Sequence, residues 1–170
     1  AQVIERFLEE RVNDLAFVLH TYSPEQLADP RILCAVFEHL HEETGALVDL
    51  GLIDATGKHV AYCGPHRLLD KNYAETEWFK ATLEQGEYVS DVFLGYRGIP
   101  HFVVTKSSGG EHPMILRVTI DSDAFSKIVE SVRIGRTGEA FLLNRQGQYQ
   151  TRHPGKWELL DKARDVQHPG

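Results

Sequence analysis

Histidines are the most obvious candidates for chemistry in this chain of 170 residues, which contains nine of them. His39 and His41 lie two positions apart in a predicted helix, so their side chains point to different faces and are poorly placed to share one metal ion. His101, in RGIPHF, and His112, in GGEHP, lie in sequences that provide no partner at a catalytic spacing. For the His39 and His41 pair, the pattern favours solvated or hydrogen-bonded side chains over a metal site.

The sequence carries none of the short motifs that are typical of enzymes. A catalytic site needs a nucleophile beside its base, or a pair of carboxylates, at a defined geometry. G-x-S-x-G, H-E-x-x-H, the P-loop and G-x-G-x-x-G are all absent, and GRTG at 135–138 has too few glycines to cradle a phosphate. We therefore expect no catalysis by this chain, and the sequence calls for no cofactor and no metal.

The two cysteines, Cys34 and Cys63, leave two readings open. Their number is too small for a disulfide framework, and their spacing matches no zinc motif. They are either two small buried apolar residues or a single bridge formed in an oxidising compartment.

Composition and charge narrow the class of protein. The chain is 42% hydrophobic and 25% charged, which is typical of a globular domain, and its net charge is −7. Without a basic stripe, such an acidic protein is repelled by a phosphate backbone, so we expect no nucleic acid partner. No run approaches the roughly 20 apolar residues of a membrane span. The chain begins inside a helical pattern and ends without closing one, so we expect the natural protein to continue at both ends.

Hydrophobic periodicity predicts helices first and strands afterwards. Residues 2–21 carry an apolar stripe at helical spacing, which can pack on a sheet or pair with a second copy. Ser23 and Asp29, each followed by proline, start two further helices, and Gly45 ends the longer one. We predict strands at 46–53, 58–63, 88–96, 100–107 and 114–120, a helix at 73–85 capped by Asn72, and a helix from Asp121 or Ser122 to Gly135.

This order predicts an α+β fold, with a long N-terminal helix and a five-stranded antiparallel sheet flanked by helices, because short turns join antiparallel neighbours. The stretch LIDATGKHV at 52–60 has a similar second copy, LLNRQGQYQ, at 142–150. We interpret the second copy as the first hairpin of another unit of the same kind. The segment 157–163 after it has a weakly helical pattern.

Four stretches resemble the extracytoplasmic double Cache (tandem PAS-like) sensor family. LGLIDATGKHVAYCGP resembles the family's first hairpin, and TEWFKATLEQGEYVSDVFLG its ligand-side helix and third strand. ILRVTIDSDAF resembles the last strand and the helix after it, and IGRTGEAFLLNRQGQYQTRHP the start of the second unit. The resemblance implies an N-terminal helical region at 1–45, a membrane-distal unit at 46–134 and an incomplete membrane-proximal unit at 135–170.

The resemblance also implies a function. The chain would be the periplasmic or extracellular part of a bacterial inner-membrane receptor, with transmembrane helices outside this sequence and a homodimer contact through the first helix. The distal unit would bind a small molecule, and versions on sensor histidine kinases are the most similar. The alternatives are the sensor of a chemoreceptor or diguanylate cyclase, and a dimerising spacer that binds no ligand.

Family members that bind amino acids share a set of pocket residues, to which this sequence conforms only in part. Trp78 matches the family's tryptophan, and Asp121 matches an aspartate that holds the ligand's ammonium group, unless it only caps the helix after it. Phe79 and Phe93 replace tyrosines, and Thr76 stands where the family has an arginine for the ligand carboxylate. The set of side chains that would bind the carboxylate end and the ammonium end of an amino acid is therefore weakened at both ends.

Other side chains in the same segments can serve instead. Lys71, Arg97 and His101 would edge the pocket and could meet a small anion such as a carboxylate, although Arg97 also fits a solvated turn. Tyr73 and Tyr96 could supply hydroxyl groups. Because Trp78 and Phe79 are adjacent, at most one of them can face the pocket squarely.

Overall fold

The computed structural model describes residues 2–98, 100–131, 142–152 and 155–163, and of these the side chains of Gln2 and Arg97 are not described. The helical expectation for the N-terminal region is confirmed, including the capping box at Ser23 and the left-handed conformation of Gly45. The helices of the described residues are α1 Gln2–Thr21, α2 Pro24–Leu27, α3 Pro30–Thr44, α4 Glu77–Gln85 and α5 Ser122–Ser131.

The five predicted strands form one antiparallel sheet in the order β2-β1-β5-β4-β3. The predicted fold class is confirmed: a long N-terminal helix precedes a five-stranded antiparallel sheet with helices on its faces. β5 lies at the centre and pairs with both β1 and β4 along its whole length. The strands are β1 Leu47–Ile53, β2 His59–Cys63, β3 Glu87–Val89, β4 His101–Ser107 and β5 Ile115–Asp121.

Side chains alternate between the two faces of each strand, and the two faces differ in chemistry. On one face, apolar residues of β1, β4 and β5 form the main core together with α1, α3 and α5. The apolar stripe of α1 packs on this face, where Leu15 and Val18 are buried. The other face carries the buried polar residues Asp49, His101, Thr105, Arg117 and Thr119. Because the buried polar side chains of the strands collect on this face, it is the place to look for a site.

A disulfide joins Cys34 of α3 to Cys63 of β2, with Cα atoms 5.2 Å apart. Of the two readings of these cysteines, the structure therefore shows the bridge. It ties the helical N-terminal region to the edge of the sheet.

Two predicted boundaries are wrong. The strand expected at 88–96 ends at Val89, and a short 3-10 helix follows at Gly95–Arg97. The helix expected from residue 73 begins at Glu77, with Thr76 at its N-cap position, and Asn72 instead holds the turn before it by accepting a hydrogen bond from the Ala74 N–H. Both differences leave irregular chain beside the polar face of the sheet. The predicted end of the last helix, at Val132 and Gly135, lies outside the described residues.

The duplicated hairpin is repeated in its hydrogen bonds as well as in its sequence. The side chain of Asp54 accepts from the backbone N–H groups two and four residues later, at 2.9 and 3.2 Å. Asn144 makes the same two bonds, at 3.0 and 2.9 Å. In both copies a short aspartate or asparagine side chain thus holds the turn, which explains why glutamate or glutamine does not occupy these positions.

The correspondence extends beyond the hairpin and shows that the predicted helix at 157–163 is wrong. The carbonyl of Gly57 accepts from Tyr73 N at 2.8 Å, and that of Gly147 accepts from Ala163 N at 2.9 Å. The segment before Ala163 returns to its hairpin through turns and bridges, just as the segment before Tyr73 does.

Among the described residues, none of the helices is both long and apolar enough to cross a membrane.

The repeat supplies a matched test of one turn glycine. Gly57 and Gly147 both have positive φ, at 86° and 77°, but a Cβ on Gly57 would lie 2.4 Å from Ala74 N whereas one on Gly147 would have open space. We expect Gly147→Ala to cost about 1 kcal/mol of conformational strain. Gly57→Ala should cost about 2 to 3 kcal/mol, because overpacking against backbone adds to that strain. Urea denaturation measures both variants, and equal losses would contradict the contact at Ala74.

Candidate functional site

A cavity of about 600 Å³ lies on the polar face of the sheet. Its walls come from α4, the loop before α4, the irregular chain after β3, the strands β4 and β5, and the second copy of the hairpin. The volume lies within the usual range for sites that bind small molecules. The early end of β3 and the late start of α4 provide the irregular segments that enclose it.

Aromatic rings form one wall of the cavity. Tyr73 packs against Trp78 with ring centroids 5.1 Å apart, and against Tyr96 at 5.7 Å. Phe93 stacks at a tilt on His101, at 4.5 Å. Such a wall offers large apolar surfaces with hydroxyl and imidazole groups at their edges, which is typical of pockets for small organic molecules.

The floor of the cavity contains a buried arginine. Arg117, in the centre of β5, is only 3% exposed. Its guanidinium carbon lies 4.8 Å from the centre of the Tyr73 ring and 5.6 Å from that of Trp78. One terminal nitrogen is 3.9 Å from a carboxylate oxygen of Asp49 and 3.4 Å from Nε2 of His59. Stacking and pairing together hold the cation in place at the base of the aromatic wall.

Local sequence makes room for this arginine. Gly51 lies opposite Arg117 in the pairing of β1 with β5. A Cβ at Gly51 would lie 3.2 Å from a terminal nitrogen of Arg117 and 2.7 Å from Nε2 of His59. A larger residue would have to displace both side chains, so the glycine allows them to meet.

His59 is neutral at physiological pH. Burial, and then the positive charge of Arg117, lower the pKa of its imidazole from 6.5 to about 4. Nδ1 lies 2.7 Å from the carbonyl oxygen of Leu68, which can only accept, so Nδ1 carries the proton and Nε2 faces Arg117 as an acceptor.

This histidine should make stability depend on pH. Its folded pKa is lower than its unfolded value, so the unfolded chain binds more protons between about pH 4 and 6.5, and the stability that the neutral imidazole provides is lost as the pH falls through this window. The difference corresponds to about 3 kcal/mol. Urea denaturation across the window should show a steeper pH dependence for the parent than for His59→Asn, which does not titrate. Parallel curves would contradict the assignment.

Acidic and amide side chains lie around the mouth of the cavity. Glu77 and Asp91 are exposed lining residues, and the second hairpin contributes Asn144, Gln146 and Gln148. The floor of the site thus holds a buried cation, and its mouth is acidic and exposed to solvent.

The structure brings five of the nine predicted site residues into the cavity wall. These are Tyr73, Thr76, Trp78, Phe93 and His101. The side chain of Arg97, a sixth, lies outside the described part of the chain.

The other three predicted residues are not part of the described lining. Phe79, the neighbour of Trp78, is buried in the core beneath α4. The ammonium of Lys71 lies over the aromatic ring of Tyr96, with Nζ 5.3 Å from the ring centroid. Asp121 accepts hydrogen bonds from the N–H groups of Asp123 and Ala124, so it is the N-terminal cap of α5. Phe79 packs in the core and Lys71 packs on Tyr96, whereas the carboxylate of Asp121 is occupied by capping α5.

Sequence reasoning missed Arg117, Asp49 and His59, which lie together at the floor. A signal was present in ILRVTI, where one arginine interrupts an otherwise uncharged strand. A charge in the middle of a buried strand needs a partner, and its expected partners are found by counting alternate residues on the neighbouring strands.

The order and pairing of these elements define a PAS-like fold, with a cavity on the polar face of its sheet. A comparison of the sequence with protein families and with curated proteins finds no significant match. Solved structures, however, resemble it over almost the whole chain.

Three of these structures come from two chemoreceptors and a putative histidine kinase. The ligand-binding domain of the Pseudomonas aeruginosa PAO1 amino acid chemoreceptor PctB, in complex with L-Gln, is 19% identical, with a TM-score of 0.64 over 95% of this chain and 66% of that one. The ligand-binding domain of the Pseudomonas fluorescens chemoreceptor CtaA, in complex with L-valine, is 15% identical, with a TM-score of 0.69 over 94% and 72%. The extracellular domain of the putative histidine kinase mmHK1S-Z2 is 17% identical, with a TM-score of 0.62 over 90% and 69%. This chain therefore spans about two thirds of the PctB domain.

Proposed function

We propose that this chain is the extracytoplasmic sensing domain of a transmembrane receptor and that it binds a small solute in the cavity beside Trp78. The observation that carries the proposal is the cavity itself, with an aromatic wall and a buried arginine at its floor. Sites of this size, with a few placed polar groups among aromatic rings, are typical of small-molecule binding.

Two further observations support a location outside the cytoplasm. The disulfide between Cys34 and Cys63 is of a kind that persists in oxidising compartments and is rare in the cytosol. The structures that share the fold include chemoreceptor and histidine kinase domains described as ligand-binding or extracellular. The proposed receptor is a homodimeric bacterial inner-membrane protein, most readily a sensor histidine kinase, in which 46–134 is the distal sensing unit and 135–170 the beginning of a proximal unit.

The proposed signal route follows contacts between the proposed distal unit and the segment of the second hairpin. The Val92 N–H, in the cavity wall, donates to the side-chain oxygen of Gln150, and the Arg152 N–H donates to Ser126 of α5 at 2.9 Å. A solute that touches both Trp78 and the amides of the second hairpin would bias how the hairpin sits against the first unit. It can shift that equilibrium only by the difference in its affinity for the two arrangements.

A thermal-shift screen tests the proposal. A ligand that binds only the folded chain stabilises it by RT ln(1 + [L]/Kd), which is about 2.7 kcal/mol at 100 times Kd. We expect a dose-dependent rise in melting temperature with a narrow class of solutes from a library of carboxylates, amines, sugars and metal salts. A flat response across the whole library would reject solute sensing and favour a spacer that binds no ligand.

A further inference from the structure

We infer that the solute carries a single carboxylate that pairs with Arg117 at the floor of the cavity, with an amino or other hydrogen-bond donor group at its opposite end. This inference rests on the proposed function and names the class of ligand for that site. It uses a residue on the central strand, β5, rather than the cations at the edge of the pocket.

The first argument is the unsatisfied hydrogen-bonding capacity of Arg117. A guanidinium carries five N–H donors in a rigid fork. Here the side chain is 97% buried, yet Nε has no hydrogen-bond partner among the residues that the structure describes. A buried donor without an acceptor is costly, and Arg117 borders the cavity. A carboxylate offers the two acceptor oxygens that such a fork accommodates.

The second argument is the charge that already surrounds the arginine. Asp49 lies 3.9 Å from the guanidinium, too far for a hydrogen bond but close enough to offset much of its charge, and Tyr62 donates to Asp49 at 2.7 Å. His59 is neutral and adds none. Asp49 therefore offsets charge but leaves Nε of Arg117 without an acceptor, which a ligand carboxylate can supply, whereas a ligand cation would be repelled by the guanidinium.

The third argument is the opposite polarity of the mouth. Glu77 and Asp91 are the acidic residues of the lining there, and Gln146 adds an amide, while the side-chain oxygens of Asn144 and Gln148 are engaged within the second hairpin. A second carboxylate at this end would be repelled by the two acidic groups. An ammonium or amide N–H would be attracted, so a ligand with a negative inner end and a donating outer end complements the whole site.

A matched series of five-carbon compounds tests the inference: pentanoate, 5-aminopentanoate, glutarate and pentylamine. Isothermal titration calorimetry and thermal shift are applied to the full 170-residue chain. The expected order of affinity is 5-aminopentanoate, then pentanoate, then glutarate, with no binding of pentylamine.

The variants isolate Arg117 without leaving a lone buried charge. Arg117→Met combined with Asp49→Asn removes both charges together, which buried pairs tolerate better than the loss of one partner. It should weaken 5-aminopentanoate by about 30-fold or more, since truncating a buried charge pair costs 2 kcal/mol or more. Arg117→Lys keeps the charge but loses the fork and should fall between the parent and the double variant. Arg6→Met, an exposed change on α1, is the control and should bind like the parent.

Each outcome decides the question. Binding of pentylamine or glutarate in preference to the monocarboxylates, or carboxylate binding that survives in the double variant, overturns the inference and leaves the proposed function intact. Failure of all four compounds also overturns it, and the broad screen then shows whether the cavity binds anything at all. A flat result in both experiments rejects the proposed function as well.

Discussion

Replacing Trp78 with alanine is expected to abolish the ligand-induced thermal shift of any solute that stabilises the parent chain. Trp78 is 4% exposed, lies in the cavity wall and packs on both Tyr73 and the guanidinium of Arg117. Its removal opens the wall and frees the Arg117 side chain, so the ligand loses an aromatic surface and an oriented charge at once. The measurement is the difference in melting temperature with and without the solute.

The neighbouring residue provides the control for this prediction. Phe79 is buried to the same degree but lies outside the cavity lining, in the core beneath α4. Phe79→Ala should cost about 3 to 5 kcal/mol of unfolding free energy. It should nevertheless keep a ligand-induced shift, because the wall of the cavity remains. If both variants lose the shift alike, the cavity beside Trp78 is not where the solute binds.

The elements of this fold could be predicted from sequence because their signals are local. A proline after Ser23 and after Asp29 marks two helix starts, and the glycine at 45 marks an end. The change of hydrophobic period from helical to alternating marks the sheet. The second hairpin is recognisable because its sequence repeats the pattern of the first. Each signal lies within a few residues of the feature that it predicts.

The candidate site was predictable only in part because its floor is a long-range feature. Arg117 meets His59 and Asp49 across 58 and 68 positions of sequence, through the register of β5 against β1 and of β1 against β2. The resemblance to the double Cache family pointed to Thr76, at the position where the amino-acid-binding members of that family have an arginine. The structure instead has an arginine on the sheet side of the same cavity.

The wrong boundaries have the same origin. The segment after β3 contains aromatic residues that favour a strand, but only Glu87–Val89 pairs continuously with β4. Beyond it, Phe93 makes a single bridge to His101 and the chain turns into the 3-10 helix. Strand propensity describes residues that fit a pleated surface, and here the same residues line a cavity.

Removing the disulfide, by Cys34→Ser with Cys63→Ser, is expected to lower the free energy of unfolding by about 3 to 4 kcal/mol. The two cysteines are 29 positions apart, and the bridge shortens the unfolded chain over the stretch that contains most of α3 and all of β1. Without it, the unfolded state regains the entropy of that loop. Urea denaturation of the parent and the double variant measures the loss.

A reducing agent gives the matched comparison, because it should lower the stability of the parent by the same amount and leave the double variant unchanged. Equal stability of the parent with and without reductant, with both thiols shown to be free after reduction, would contradict a stabilising bridge. The cavity adds a second readout. Cys63 ends β2, the strand that also carries His59, and Tyr62 beside it holds Asp49. If the bridge fixes this edge of the sheet, its loss should weaken carboxylate binding as well as folding, whereas a bridge that acts only on the unfolded chain should leave the affinity of the folded cavity unchanged.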